Sequence, residues 1–400
     1  MSRNAPSLGL LMIARDEERN LPKSLGPLME IVDEAVFLDT GSKDQSLNLA
    51  QKAGARVFQM VWPHDFAAAR NVALGHIKAD YVLWLDADNS LEPEELKTFK
   101  NKLTKEPVIW LATERVIPQG DEIWQKRFFP NQPDCFWSGA IHEQLLHPAH
   151  YPVRHSQLVI NHWGYQDPKL AKLKGQRNLD LLLAKSPEEA DFYHLYQTGR
   201  TLLNLRRAEE AWVYLTMALK KATRERENNQ TFNFSLYAHT IILLAQIEKA
   251  QGRWAAAEKN LLLLTQTDPN YGPGYYYLGR LWSETAPAKA LGAYSRALEL
   301  GLSDPGWGAN GRKLGYTAAI SLGHLWRDQG EFTEAEKAYQ KALSLDPSRP
   351  EPRLELASLA YAAGRKNEAQ MASREVLKLF PGLRAAQRLL ESFSQVGGAE

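Results

Sequence analysis

Apolar and polar residues fall in alternating blocks along the first 165 positions. Residues 8–14 form an apolar run that gives way at once to Arg15-Asp16-Glu17-Glu18-Arg19-Asn20, after which Leu21, Leu25 and Leu28 recur at helical spacing. This predicts strand, polar loop, helix. Residues 34–38 read as a second strand running into Asp39-Thr40-Gly41-Ser42-Lys43-Asp44, with a helix over 45–53 behind it. Residues 56–60 predict a third, short strand, and 66–74 are good helix formers. A fourth apolar run, Tyr81-Val82-Leu83-Trp84-Leu85, stops at Asp86-Ala87-Asp88-Asn89-Ser90. This alternation predicts a mostly parallel sheet with polar loops gathered at one edge. Asp86 and Asp88 then emerge at the C-terminal end of a buried strand, where open α/β sheets bind ligands.

The pattern changes beyond residue 190. Small residues recur in register, as Gly199, Ala211 and Ala218, as Ala245, Gly252 and Ala257, as Gly323, Gly330 and Ala335, and as Ala357, Gly364 and Ala369. Pro347 and Pro381 stand 34 residues apart, the tetratricopeptide period. Units begin near Phe192, Ala238, Gly272, Tyr316 and Pro350, about five in all. The third is one residue short between Gly279 and Ala297, and a Gly-rich insertion, 305–315, precedes the fourth. Stacked pairs of this kind make an all-α superhelix whose inner surface holds a peptide or protein. Tyr275, Tyr276, Tyr277 and Trp282 are either part of that surface or helix-packing aromatics. Between the two patterns lies a basic helix over 167–185 with Lys169, Lys172, Lys174, Arg177 and Asn178, read as a solvated face joining two domains.

Composition adds exclusions. The 48 basic and 47 acidic side chains leave a net charge of +1, which asks for neither nucleic acid nor an anionic bilayer. The single cysteine, Cys135, rules out an intramolecular disulfide and suits a reducing compartment. No window is long and apolar enough for a transmembrane segment, and residues 1–14 lack an obvious cleavage site. A cytoplasmic protein is expected.

Two carboxylates at i and i+2 of an extended segment point the same way. Hard cations such as Mg²⁺ or Mn²⁺ take oxygen ligands of this kind while keeping positions for phosphate. As local structure alone, the same residues make a turn whose Ser90 caps a helix opening at Glu92-Pro93-Glu94-Glu95. Residues 107–164 are rich in aromatics and histidines, among them Trp110, Trp124, Phe128, Phe129, Trp137, His142, His155 and His162. A sugar-handling pocket and an aromatic core both look like this.

Several motifs in order resemble the family 2 glycosyltransferases, which have the Rossmann-like α/β GT-A fold. They are R-D-E-E after the first strand, D-T-G-S-x-D after the second, D-F-A-A-A-R-N on a helix, and L-D-A-D closing a strand. Three more follow: Gln125-Lys126-Arg127-Phe128-Phe129, Phe136-Trp137-Ser138-Gly139-Ala140-Ile141-His142-Glu143, and Ile160-Asn161-His162-Trp163-Gly164-Tyr165. The last looks like the close of the catalytic domain in the branch carrying helical repeats. The resemblance implies a GT-A domain over 1–165, a basic helical linker over 166–191 and a repeat domain over 192–390. It also implies a nucleotide-sugar donor, chiefly a UDP-sugar, Mn²⁺ or Mg²⁺, and transfer with inversion to an acceptor, a peptide or protein if the repeats present it. Asp16, Glu17, Asp39, Asp44, Arg70, Asp86 and Arg127 then match donor-binding positions. Asp86, Asp88 and His162 match the metal, and Glu143 with His142 the proton transfer. Two departures stand out: Asp16 replaces a common Asn, and Asn89 follows the D-x-D where an acid is common. The alternative is a repeat scaffold with a catalytically reduced GT-A domain.

Overall fold

The computed structural model describes residues 5–117, 122–164, 168–228, 232–304 and 306–395; Tyr165, Pro305 and the Lys169 side chain lie outside the described residues. The chain divides into two compact units, Met1–Gln230 and Thr231–Glu400.

The first unit is built on an eight-stranded sheet. Its strands are β1 (Leu8–Ala14), β2 (Glu34–Asp39), β3 (Arg56–Gln59), β4 (Tyr81–Trp84), β5 (Asn89–Leu91), β6 (Ile109–Val116), β7 (Glu122–Pro130) and β10 (Val153–His162), in the order β3-β2-β1-β4-β7-β6-β10-β5. A separate hairpin pairs β8 (Phe136–Ser138) with β9 (Gln144–Leu146). The β3-β2-β1-β4 half is parallel, as is the β6–β10 pair, but β7 runs antiparallel to both β4 and β6, and β5 antiparallel to β10, so the sheet is mixed, with parallel pairings in the majority.

β1 is buried along its whole length because both of its faces are covered. Leu8, Leu10, Met12 and Ala14 pack with Leu21, Leu25, Leu28, Leu96 and Phe99 on one side, and Leu11 and Ile13 with Ala67, Ala69 and Ala73 on the other. The expected helix over Leu21, Leu25 and Leu28 is broken: α1 (Leu21–Ser24) gives way to a single 3₁₀ turn at Gly26–Leu28, where Pro27 has no N–H to continue the ladder. The helices α2 (Ser46–Lys52) and α3 (Phe66–Leu74) stand where the pattern put them. Ser90 is no helix cap. It lies in β5, and α4 (Pro93–Lys100) starts at Pro93 behind Glu92.

The basic helix α5 (Pro168–Leu183) and the first helical pair, α6 (Phe192–Asn204) and α7 (Ala208–Glu227), belong to the same compact unit as the sheet. That unit therefore runs past the changes of pattern at 165 and 191. Leu179, Leu182, Leu195 and Tyr196 are all buried.

In the second unit four further pairs follow: α8 (Phe234–Ala250) and α9 (Trp254–Thr267), α10 (Gly272–Thr285) and α11 (Pro287–Leu300), α12 (Gly311–Asp328) and α13 (Phe332–Leu345), α14 (Glu351–Ala362) and α15 (Lys366–Leu379), with α16 (Arg384–Gln395) after them. Small residues sit where the paired helices touch. A Cβ on Gly279 would fall 2.8 Å from the Tyr294 ring, and one on Gly323 2.4 Å from that of Tyr339. Two units begin earlier than Ala238 and Tyr316, because Asn233 and Asn310 cap their helices by accepting from the N–H groups of Leu236 and Lys313. The insertion is anchored, not slack. Buried Asp304 accepts from Ser235 Oγ and, at 2.7 Å, from Tyr271 OH, which in turn accepts from Trp307 Nε1. Tyr276 is buried in helix packing against Tyr294, and Trp282 donates to Glu258.

Candidate active site

The site is assembled on α3. Asp65 caps this helix, accepting from Ala68 N at 2.8 Å, and Phe66 N donates to Ala140 O at 2.8 Å. One turn on, Asn71 clamps the backbone of Trp137: its Nδ2 donates to Trp137 O at 2.8 Å and its Oδ1 accepts from Trp137 N at 2.9 Å. Beside it Arg70 donates from Nε to Glu143 Oε1 at 2.6 Å and from Nη2 to Asp86 Oδ1 at 2.9 Å. The Arg-Asn pair thus fastens the 136–146 segment to the end of β4. Arg70 is 4% exposed. Burial alone would make its guanidinium easier to deprotonate, but Glu143 and Asp86 hold it firmly cationic. Asp86 responds in kind. Burial raises its carboxyl, and Arg70 followed by Arg127 brings it below the usual carboxylate range.

Trp84, the last residue of β4, has two guanidinium groups against its ring, Arg70 at 4.3 Å and Arg127 at 3.9 Å from its centroid. Arg127 is 1% exposed and donates to Glu114 Oε2 at 2.5 Å. Matched by motif to the donor, it instead supports the sheet edge beneath Asp86. Arg70 Nη1 and Arg127 Nε are buried without a hydrogen-bond partner.

Asp88 is buried beside these groups. Its Oδ2 accepts from Lys174 Nζ at 3.1 Å, and its Oδ1 lies 3.5 Å from His162 Nδ1. Lys174, on the helix expected to be a solvated face, therefore points inward. Asn89 links the D-x-D to β10: its Oδ1 accepts from Asp86 N, which turns its Nδ2 toward His162 Nδ1 at 3.0 Å. The chain passes so close at Gly164 that a Cβ would fall 2.2 Å from Asp88 Oδ2 and 2.9 Å from His162 Nε2. Each aspartate takes a basic side chain. Among the described residues no three His, Cys, Asp or Glu side chains form a ligand set. As placed, Asp86, Asp88 and His162 do not fit a divalent ion.

The loops after β1 and β2 are zipped together. Asp16, at φ +57°, accepts from Lys43 N at 2.7 Å, and its own N–H donates to Ser42 Oγ. A short side chain with an acceptor is what this left-handed position requires, and Asp meets it as Asn would. Glu17 N donates to Ser46 Oγ, and Glu18 N to Asp44 Oδ2. Asp44, despite the opposing effect of burial, is held below the usual carboxylate range by its bonds from Ser46 and Glu18. Glu17 is shifted the other way: burial raises it, and nearby Asp88 and Asp86 add to the shift. Asp39 is buried and accepts from Gly41 N and Ser42 N, capping the turn after β2. Asp39, Arg15, Gln59, Trp62 and His64 line a cleft of about 620 Å³ at the ends of β2 and β3.

His142 sits at φ +52° with Nε2 buried and unpartnered. Burial, then Arg200 and His194, pushes its imidazole down to about 4, so it is neutral at physiological pH. Tyr193 lies within reach of Gln144 and Gln197, with Arg200 and Glu143 near it, and burial raises its phenol. The first repeat helix thus walls the Glu143 side of the site.

Trp84, Glu114 and Lys174 were not among the expected site residues. Glu114 carried a signal, since it shares strand parity with buried Ala112 and so faces inward. Lys174 carried none, because its partner is 86 residues away.

Residues 10–159 match the family model Glycosyl transferase family 2, and residues 327–392 match Tetratricopeptide repeat. The TPR repeat-containing protein Synpcc7942_0270 of Synechococcus elongatus is 28% identical over 356 residues, covering 85% of this chain and 76% of that protein. The SPbeta prophage-derived glycosyltransferase SunS of Bacillus subtilis is 22% identical over 260 residues, 60% of each chain, so less than two thirds of that relative is spanned. Among solved structures, the TPR protein YrrB overlays 50% of this chain and 91% of its own at a TM-score of 0.38 and 16% identity, too loose a likeness to carry an argument. No helix among the described residues is long and apolar enough to cross a membrane. The ordered motifs, the sheet that carries them and the family match identify residues 10–159 as a glycosyl transferase family 2 domain, with tetratricopeptide repeats following it.

Proposed function

We propose that the protein is an inverting glycosyltransferase that moves a sugar from a nucleotide-sugar, a UDP-sugar, to a peptide or protein acceptor presented with the help of its repeats. The observation that carries this reading is the Asp86–Arg70–Glu143 bridge at the C-terminal end of β4, which fixes two carboxylates of opposite duty 2.9 Å and 2.6 Å from one buried guanidinium. Asp86 is 34% exposed and faces the donor, where its oxygens accept from sugar or ribose hydroxyls. The nucleoside occupies the cleft beside Asp39. Glu143 is the base. Oε1 is held by Arg70, and Oε2, outside that ion pair, takes the acceptor's proton as the acceptor atom bonds to the anomeric carbon and the bond to the diphosphate breaks. Tyr193, Gln197 and Arg200 face the acceptor, which gives the first repeat pair a part in choosing it. His142, neutral and buried, positions the Glu143 loop.

The test is release of UDP from a panel of UDP-sugars by the full chain, followed by the Glu143→Gln variant. Wild type is expected to hydrolyse at least one donor slowly. The variant is expected to lose about 100-fold or more in turnover while UDP affinity stays within about threefold. A specific observation favours the second reading, a repeat scaffold with a reduced catalytic domain: both aspartates of the D-x-D are held by basic side chains. Release of no UDP from any donor, with no UDP binding, would decide for the scaffold.

A further inference from the structure

We propose that Lys174 is a built-in cation at the D-x-D, filling with its ammonium the place at Asp88 that a divalent ion would take. Lys174 Nζ lies 3.1 Å from Asp88 Oδ2, and the lysine side chain is 27% exposed while that of Asp88 is 9% exposed. The pair is therefore largely withdrawn from solvent, where an ion pair is screened least. Lys174 also acts on Glu17, so one ammonium serves carboxylates from two segments of the chain, the loop after β1 and the stretch after β4. His162 Nδ1 stands 3.5 Å from the other oxygen, Oδ1, and the Gly164 backbone crowds Oδ2 itself, so both oxygens of Asp88 already have close neighbours. An Mn²⁺ ion reaching Asp88 Oδ2 must first displace Lys174 or share the carboxylate with it at close range, where like charges repel strongly.

The inference deepens the transferase reading. The same ammonium stands where it would balance a leaving diphosphate, a point-charge role lysine fills at phosphate sites. Its first test does not depend on that reading.

Mn²⁺ binding to the full-length protein is measured by electron paramagnetic resonance of free Mn²⁺, for wild type, Lys174→Gln, Lys174→Arg and the double variant Lys174→Gln/Asp88→Asn. Wild type and Lys174→Arg are expected to bind Mn²⁺ at least about 10-fold more weakly than Lys174→Gln, and the double variant to lose that gain. Equal binding by wild type and Lys174→Gln, a gain that survives Asp88→Asn, or no binding by any variant overturns the proposal. Calorimetry with UDP separates the two readings. If wild type binds UDP equally with and without Mn²⁺ while Lys174→Gln needs the ion to regain about 10-fold lost affinity, the lysine replaces the metal toward the donor. If UDP binds nothing, the donor reading fails and the Mn²⁺ series still decides the role of Lys174.

Discussion

Replacing Arg70 by Met is the sharpest test of how the site is held together. The side chain is 4% exposed, and its partners differ: Glu143 is 10% exposed and Asp86 34%. Stranding Glu143 costs about 2–3 kcal/mol, because a largely buried carboxylate loses a charge-assisted bond. Stranding Asp86 costs less than about 1 kcal/mol, since water reaches it. Loss of the cation over Trp84 adds about 0.5–1 kcal/mol. The total of roughly 3–4 kcal/mol should lower the melting temperature of the sheet unit by about 10 °C. Met fills most of the volume, so the effect is electrostatic in origin. The variant Arg70→Met/Glu143→Gln, which removes the stranded charge, should recover about 1–2 kcal/mol of the loss by denaturant titration. The sign with pH follows from Asp86, whose carboxyl lies below its ordinary 3.8 in the folded protein. Its share of the stabilisation by Arg70 is complete above that value and is lost as pH falls through the folded one. The deficit of the variant is then flat from pH 7 to 5 and its Asp86 part shrinks only in stronger acid. Costs of the two single substitutions that simply add would refute the bridge as the element joining β4 to the Glu143 loop.

Asn71→Ala should cost about 2–3 kcal/mol by leaving both backbone groups of Trp137 without their partner, and limited proteolysis should then cut within 131–147 first. His142 is pushed down to about 4 from an ordinary 6.5, so the unfolded chain takes up the proton first. Stability is full above pH 6.5 and declines toward pH 4 by up to about 3 kcal/mol. His142→Asn, which tolerates the left-handed backbone, should flatten that slope in denaturant titrations at stepped pH. In the repeats, Gly323→Ala puts a Cβ 2.4 Å from buried Tyr339 and should cost about 1–3 kcal/mol. Gly292→Ala, in the interior of α11 with nothing near it, should stabilise by about 0.5–1 kcal/mol; equal melting temperatures for the two would refute the packing account.

What could be read from the sequence was what local periodicity controls. β1, β2 and β4 show as apolar runs because central strands are covered on both faces, and α3 shows through its run of alanines and the Asp65 cap. The repeats show because the contact of Gly323 with Tyr339 is short-range and recurs. What could not be read was set by partners distant in the chain. β5 is three residues long and exists because Asn89, Ser90 and Leu91 pair with His162, Asn161 and Ile160, which overrode a respectable helix start. Asp86 and Asp88 were rightly placed at a strand end, but their occupants, Arg70 and Lys174, come from helices 16 and 86 residues away. A D-x-D announces two negative charges; only the fold says which positive charges meet them.

The same point fixes where the catalytic unit ends. A boundary at 165 follows the last strand, yet Lys174, Tyr193 and Arg200 lie beyond it, Lys174 bonded to Asp88, Tyr193 within reach of Gln144 and near Glu143, and Arg200 acting on His142. Leu179, Leu182, Leu195 and Tyr196 are buried only because the helices carrying them stay with the sheet. A fragment cut at 165 would lose the cation from Asp88 and the wall beside Glu143 while keeping every motif that marks the family. The first helical pair has therefore two allegiances. Its sequence pattern is that of a repeat, yet its side chains lie with the site, Tyr193 within reach of Gln144 and near Glu143.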